Sequence, residues 1–149
     1  MRELTIQRTK SFVGRFGIFK VYIEDGEAGD LKINGVSCRL LGTLKNGETK
    51  TFSLEENAAK LFVIAGKMSK SFCSELILLP AGIEPLSFVG QSRFNLFAGN
   101  AFRFDGDPSP ETLKNRKDST RLGAVIFITS FLLAFIAGWI VGMSLGSGL

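Results

Sequence analysis

A cluster of carboxylate side chains is the feature of this sequence that is best suited to binding a metal ion. The segment EDGEAGD brings four of them together: Glu24, Asp25, Glu27 and Asp30. Oxygen ligands of this kind bind Ca²⁺, but the segment lacks the alternating acidic register of an EF-hand loop. We interpret it as a solvated hairpin loop, with calcium binding as the alternative. The neighbouring acids Glu55 and Glu56 fall at a turn or helix start, where carboxylates are solvated or favoured by the helix dipole.

Histidine is absent from all 149 residues, and the two cysteines are Cys38 and Cys73. The commonest general base and a common zinc ligand are therefore missing, and an all-cysteine zinc site needs four cysteines. A G-x-S-x-G string at Gly142–Gly146 lacks the histidine base that a hydrolase nucleophile requires. The sequence predicts a non-enzymatic protein without a cofactor or metal ion. The net charge of +4 is too small to indicate nucleic-acid binding.

The C-terminal part of the sequence contains no charged residue after Arg121. Residues 122–145 form an apolar stretch, and about 20 helical residues cross a bilayer core of about 30 Å. This pattern predicts a transmembrane helix over 122–145 with a short tail at 146–149; a buried core helix is the alternative. Four basic residues precede the stretch: Lys114, Arg116, Lys117 and Arg121. By the positive-inside rule they predict a single-pass, tail-anchored protein with a cytoplasmic N-terminal domain.

Small residues recur every four positions within the predicted span: Ser130, Ala134, Gly138, Gly142 and Gly146. Helices in a bilayer associate through close backbone contact, which small side chains permit. The stripe predicts helix packing against a second copy of the chain or against another membrane protein. The four basic residues before the span are candidate contacts for anionic lipid head groups. The alternative is that they only fix the topology.

The region 1–105 shows the period of two that is typical of β-strands. Turn clusters such as Asn34-Gly35 and Asn46-Gly47 separate its short apolar runs, and Asn-Gly favours type I′ hairpins. We predict an antiparallel β-sandwich of seven or eight short strands, with most of its phenylalanines in the core. Residues 106–121, with Pro108 and Pro110, are predicted as a linker. After Pro110 the linker is either a helical continuation of the span or a flexible tether.

The pieces FKVYIED, LKINGVSCRLLGTLKNGETKTFSL and KLFVIAGKMS carry a family resemblance. Through Gly35, Gly42–Gly47 and Phe52, residues 18–66 resemble small bacterial β-sandwich domains of the PEGA and carboxypeptidase-regulatory type. The Pro- and Gly-rich turn that usually precedes the last strand is replaced here by Glu55–Ala59. The resemblance implies a non-enzymatic interaction domain and brings no catalytic residues.

Two functions are consistent with these features. The first is a membrane-tethered interaction module that binds a cytoplasmic protein partner and packs its helix in the bilayer. The second is a sandwich on the outer face of the membrane that binds calcium or a carbohydrate. In a reducing cytoplasm both cysteines would stay free thiols.

Overall fold

The computed structural model describes residues 1–26, 29, 31–55, 58–65, 74–95 and 99–146. In this part of the chain there are nine strands and one helix. The strands are β1 (Arg2–Arg8), β2 (Phe19–Glu24), β3 (Leu31–Ile33), β4 (Val36–Leu44), β5 (Thr49–Leu54), β6 (Lys60–Ala65), β7 (Ser74–Leu78), β8 (Leu86–Asn95) and β9 (Gly99–Phe104). The helix is α1 (Pro110–Gly146).

The described strands form two sheets that pack face to face, with strand orders β5-β1-β8-β9 and β3-β4-β2-β6-β7. The prediction of a β-sandwich followed by one apolar helix is confirmed. One pair of strands departs from the antiparallel arrangement, because β1 and β8 are parallel from Leu4 opposite Leu86 to Arg8 opposite Gly90. Short loops force consecutive strands to be antiparallel. They place no such constraint on two strands so far apart in the sequence.

Both Asn-Gly turns join strands, but with different geometry. At Asn34-Gly35 a two-residue loop links β3 to β4, and both residues have positive φ, 51° and 83°. This matches the predicted type I′ conformation. Between β4 and β5 the loop is longer, Lys45 to Glu48, and of its residues Gly47 has a positive φ, 76°. The longer loop closes with a bond from Glu48 N to Lys45 O of 3.1 Å, so it does not need the I′ turn.

The main core lies between the sheets and follows from strand alternation. Leu4 and Ile6 of β1 point inward and meet side chains of the other sheet such as Val21 and Val63. A second cluster on the outer face of the five-stranded sheet contains Leu31, Ile33, Cys38, Phe62, Ile64 and Leu76. Strand β6 contributes to both clusters, which explains why its central four residues are all buried. Each such apolar side chain contributes roughly 1.5–3 kcal/mol when it leaves water.

The prediction that most phenylalanines of region 1–105 lie in the core holds for six of the nine that the structure describes, which are buried or pack partly buried against a core cluster. The other three are exposed, and one of them, Phe94, lies in strand β8. Phe19 and Phe102 are buried, with ring centroids 5.7 Å apart in an edge-to-face contact. Phe12, Phe16 and Phe94 are exposed by 88%, 93% and 63%. Two of these lie in the β1–β2 loop, where no strand alternation turns them inward. Phe72 and Phe97 lie outside the described residues.

Helix α1 starts inside the segment that was predicted as a linker, so the helical alternative is the one the structure has. Pro110 occupies the first helical position, where its missing N–H is not needed. Ser109 caps the helix, because its Oγ accepts a bond from Thr112 N at 3.1 Å. From there α1 continues into the apolar stretch. It is long and apolar enough to cross a membrane, and residues 125–143 of its apolar part are exposed.

Candidate functional site: the docked helix and its exposed apolar continuation

The first turns of α1 dock on strand β7 through polar side chains. Thr112 Oγ1 donates to the Leu76 carbonyl at 2.9 Å, and Asn115 Nδ2 donates to the Ser74 carbonyl at 3.0 Å. Thr112 and Asn115 are almost fully buried, as is Ser119 one turn further on. The edge strand of a sheet exposes unpaired backbone groups, and here side chains of a helix satisfy two of the carbonyls. The helix is therefore part of the domain.

A buried ion cluster fastens the same part of α1. Glu75 is fully buried on β7, and its two carboxylate oxygens accept bonds from Arg116 Nε at 3.1 and 3.0 Å, with a further contact from Arg116 Nη2. Arg103 Nη1 of β9 donates to the same carboxylate at 3.0 Å. The Arg116 guanidinium also lies 5.6 Å from the centre of the Phe104 ring. One carboxylate thus joins β7, β9 and α1.

The predicted membrane-surface residues are divided between two environments. Arg116 faces the sandwich and forms an ion pair with Glu75, so its charge is paired within the protein. Lys114, Lys117 and Arg121 are exposed on α1 just before the apolar stretch. Sequence analysis missed the role of Glu75. A signal was present, since an acidic residue inside the apolar strand SELIL needs a charged partner.

Two buried arginines terminate β1, and sequence analysis missed both. Arg8 is fully buried and donates to the carbonyls of Gly14 at 2.7 Å, Gly17 at 2.5 Å and Leu44 at 3.2 Å. It also lies 4.3 Å from the centre of the Phe19 ring. Burial lowers the pKa of the Arg8 guanidinium from its usual value. At the other end of the strand, Arg2 binds the carbonyls of three loop residues: Ala58, Pro80 and Gly82.

The inward orientation of Arg2 and Arg8 could be inferred from the alternation of inward- and outward-facing residues in β1. In RELTIQR, the two arginines occupy the same face as Leu4 and Ile6. Each guanidinium reaches the end of the sandwich and binds loop carbonyls there. Arg8 thereby orders the β1–β2 loop, and Arg2 orders the loops at the opposite end.

The predicted helix-packing stripe lies on the exposed part of α1. Ser130, Ala134, Gly138 and Gly142 are exposed, and a Cβ added at Gly138 or Gly142 would meet no described atom within 4 Å apart from the adjacent residues and the backbone of the helix itself. The side-chain surroundings of Gly146 lie outside the described residues. On a neighbouring face, the rings of Phe135 and Trp139 are 6.4 Å apart. The structure therefore leaves these four positions of the stripe accessible to another helix.

The acidic segment EDGEAGD and the two cysteines are only partly described. Their described residues include an ion-paired aspartate and a buried thiol. Asp25 accepts a bond from Arg39 Nε at 2.5 Å, while Glu27, Asp30 and Glu56 lie outside the described residues. No group of three or more metal-binding side chains occurs among the residues that the structure describes. Burial raises the pKa of the Cys38 thiol to about 11, which keeps it protonated at neutral pH. Cys73 also lies outside the described residues.

Comparisons with protein-family models and with curated proteins find no match for the chain. The resemblance of residues 18–66 to PEGA-type domains therefore stays a prediction. What is established is a β-sandwich with one C-terminal helix that is long and apolar enough to cross a membrane.

Proposed function

We propose that the protein is a non-enzymatic interaction module that α1 holds at a membrane, with the sandwich on the cytoplasmic side. The observation that carries this proposal is the continuity of α1. Its first turns are bound to β7 through Thr112, Asn115 and Arg116, and its remaining turns are apolar and exposed. A helix that is half docked and half apolar holds a folded domain at a fixed position against a bilayer.

The proposed orientation rests on charge. Lys114, Lys117 and Arg121 are exposed immediately before the apolar stretch, and residues 122–149 contain no basic residue. Basic residues flanking a span favour the cytoplasmic side of the membrane.

Two kinds of partner fit this arrangement. Within the bilayer, the stripe from Ser130 to Gly146 suits close packing against a second copy or another membrane protein. Outside it, β5 is an edge strand of the four-stranded sheet and alternates exposed and half-buried residues. An extended segment of a cytoplasmic protein could add to such an edge through backbone hydrogen bonds.

Membrane anchoring and orientation can be tested together in cells. We expect the full chain to stay in the membrane fraction after a carbonate wash and its sandwich to resist protease added to intact spheroplasts. Leu133→Arg combined with Ile136→Arg should abolish membrane retention, because each charge costs roughly 2.5–3.5 kcal/mol at the centre of a span. Leu133→Ile with Ile136→Leu is the matched control. Carbonate release of the unmodified chain would exclude the anchor, and digestion of the sandwich would favour the outward-facing alternative.

Helix packing needs a separate experiment. We expect Gly138→Leu combined with Gly142→Leu to weaken association, measured by energy transfer between labelled copies in vesicles and by co-purification of membrane proteins in mild detergent. Ala137→Leu adds the same kind of bulk about 100° away from Gly138 on the helix surface and should have a smaller effect. Equal association of the unmodified chain, the Gly138→Leu, Gly142→Leu variant and the Ala137→Leu variant would exclude the stripe as a packing surface.

A further inference from the structure

The β1–β2 loop displays apolar side chains that the fold does not cover. Phe12 and Phe16 are exposed by 88% and 93%, and Ile18 beside them by 47%. Lys10 and Arg15 of the same loop are also exposed. Contiguous exposed apolar side chains on a folded domain mark an interaction site. Mixed aromatic and basic side chains are typical of surfaces that bind the interfacial layer of a membrane.

The loop is held in its conformation by contacts with the sandwich. Arg8 binds the carbonyls of Gly14 and Gly17 from below. The Asn46 side chain accepts a bond from Ser11 N and donates one to Ser11 O, both at 3.0 Å. A turn bond joins Gly17 N to Gly14 O at 2.9 Å. The two phenylalanines are therefore presented outward by an ordered loop.

The direction of α1 follows from its two contacts with β7. Thr112 binds the Leu76 carbonyl, and Asn115, one turn later, binds the Ser74 carbonyl. The helix therefore runs antiparallel to β7 and leaves the sandwich at the end where Ser74 lies.

The β1–β2 loop lies at that same end. Ser74 pairs with Ile64 of β6, and the next residue of β6, Ala65, pairs with Phe19 of β2. The Phe19 ring contacts Arg8, which binds the loop. The strand registers thus place the exposed loop and the departing helix together.

The apolar stretch begins close to this end of the sandwich. Arg116 is level with Glu75, and Leu122 lies only about 9 Å further along the helix axis. Gly123, at the start of the stretch, is still buried. If α1 crosses a membrane, the surface of that membrane must therefore lie near the end of the sandwich that carries the loop.

A second element reaches the same side. Strand β8 pairs with β1 up to Gly90 opposite Arg8 and then continues to Asn95, paired with β9. Phe94 in this extension is exposed by 63%, and Arg93 beside it is also exposed. Two segments with exposed aromatic and basic side chains thus lie at the end of the sandwich from which the helix departs.

We propose that the β1–β2 loop inserts Phe12 and Phe16 into the interfacial layer of the bilayer that α1 crosses, while Lys10 and Arg15 contact anionic lipid head groups. The inference rests on the proposed membrane anchoring and adds a second, independent contact between domain and lipid. Together with the docked helix, this contact fixes the tilt of the sandwich relative to the membrane.

The test measures the depth of a single tryptophan in the full chain, reconstituted in vesicles of phosphatidylcholine and phosphatidylglycerol. Phe12→Trp and Phe16→Trp are made in a Trp139→Phe background, and lipids with a spin label near the head group quench the fluorescence. Ile83→Trp is the matched control, because Ile83 is exposed by 68% in the loop that Arg2 binds at the opposite end. We expect at least threefold stronger quenching for Phe12→Trp and Phe16→Trp than for Ile83→Trp.

The charges of the loop are tested in the same vesicles. Lys10→Gln combined with Arg15→Gln should reduce the quenching of Phe12→Trp about twofold, and pure phosphatidylcholine vesicles should have a similar effect. Lys32→Gln, which removes an exposed charge from β3, should leave it unchanged.

Three results would overturn the inference, and they can be told apart. If Trp139 of the unmodified chain is quenched while Phe12→Trp and Ile83→Trp are equally weak, the anchor stands and the loop contact is wrong. If Phe12→Trp is shielded from aqueous acrylamide but not quenched by lipid, the loop binds protein. If Trp139 itself is not quenched, both the anchor and the loop contact are wrong.

Discussion

Replacing Arg116 with methionine removes one of the two cations that neutralise a fully buried carboxylate. Glu75 has no exposed surface, and the side chains of Arg116 and Arg103 are 24% and 15% exposed. Breaking a buried pair from one side costs roughly 3–5 kcal/mol, because a charge is left without its partner. Since Arg103 stays in place, we expect Arg116→Met to lower the free energy of unfolding by about 2–3 kcal/mol.

A double-mutant cycle separates the pair from its surroundings. Glu75→Gln should cost about 3 kcal/mol, because it leaves two arginines without their common partner. The double variant Glu75→Gln, Arg116→Met should be more stable than the sum of the single losses predicts, by about 1–2 kcal/mol. The measurement is urea unfolding of the full chain in detergent micelles, followed by the circular dichroism of the β-domain.

Lys117→Met is the control, because Lys117 is the exposed neighbour of Arg116 on the same helix. A change at such a surface position is usually within about 0.5 kcal/mol. If Arg116→Met is no more destabilising than Lys117→Met, the contact of Arg116 with Glu75 does not stabilise the domain. The same conclusion follows if the effects of Glu75→Gln and Arg116→Met are additive within about 0.5 kcal/mol.

Two further predictions concern the core. A Cβ at Gly90 would lie 2.3 Å from Phe102 Cζ and 2.7 Å from the Arg103 carbonyl oxygen. We therefore expect Gly90→Ala to destabilise the domain by about 1–3 kcal/mol in the same urea assay. Gly26→Ala, whose Cβ would meet nothing within 4 Å, should be nearly neutral, and equal losses would contradict the packing at Gly90. Burial raises the pKa of Cys38 from its usual 9.0 to about 11, so in a Cys73→Ser background its thiol at pH 8 should react about 100-fold more slowly than in the urea-unfolded chain. The unfolded thiol ionises first, so stability should be full below pH 9 and fall by about 1.4 kcal/mol per unit between pH 9 and 11. Cys38→Ala should lack this part of the fall, and an identical alkaline profile in both proteins would show that Cys38 is not its source.

Two kinds of feature could be read from the sequence. One depends on the local alternation of polar and apolar residues, and the other on whether a long segment carries any charge. Alternation of polar and apolar residues specified the strands, because successive side chains of a strand point to opposite faces. The run without charges after Arg121 specified an apolar helix of membrane-spanning length. Asn34-Gly35 specified a tight turn, because few other residues adopt positive φ readily.

Tertiary structure alone decided which distant residues meet. Glu75 and Arg116 are 41 residues apart, and no local pattern links them. Their contact exists because β7 is an edge strand and α1 docks along it. In the same way, only the strand registers show that Phe12 and Phe16 share one end of the sandwich with the departing helix. Local periodicity sets which face of a strand is apolar, whereas closure of the two sheets sets which loop lies beside the apolar part of α1.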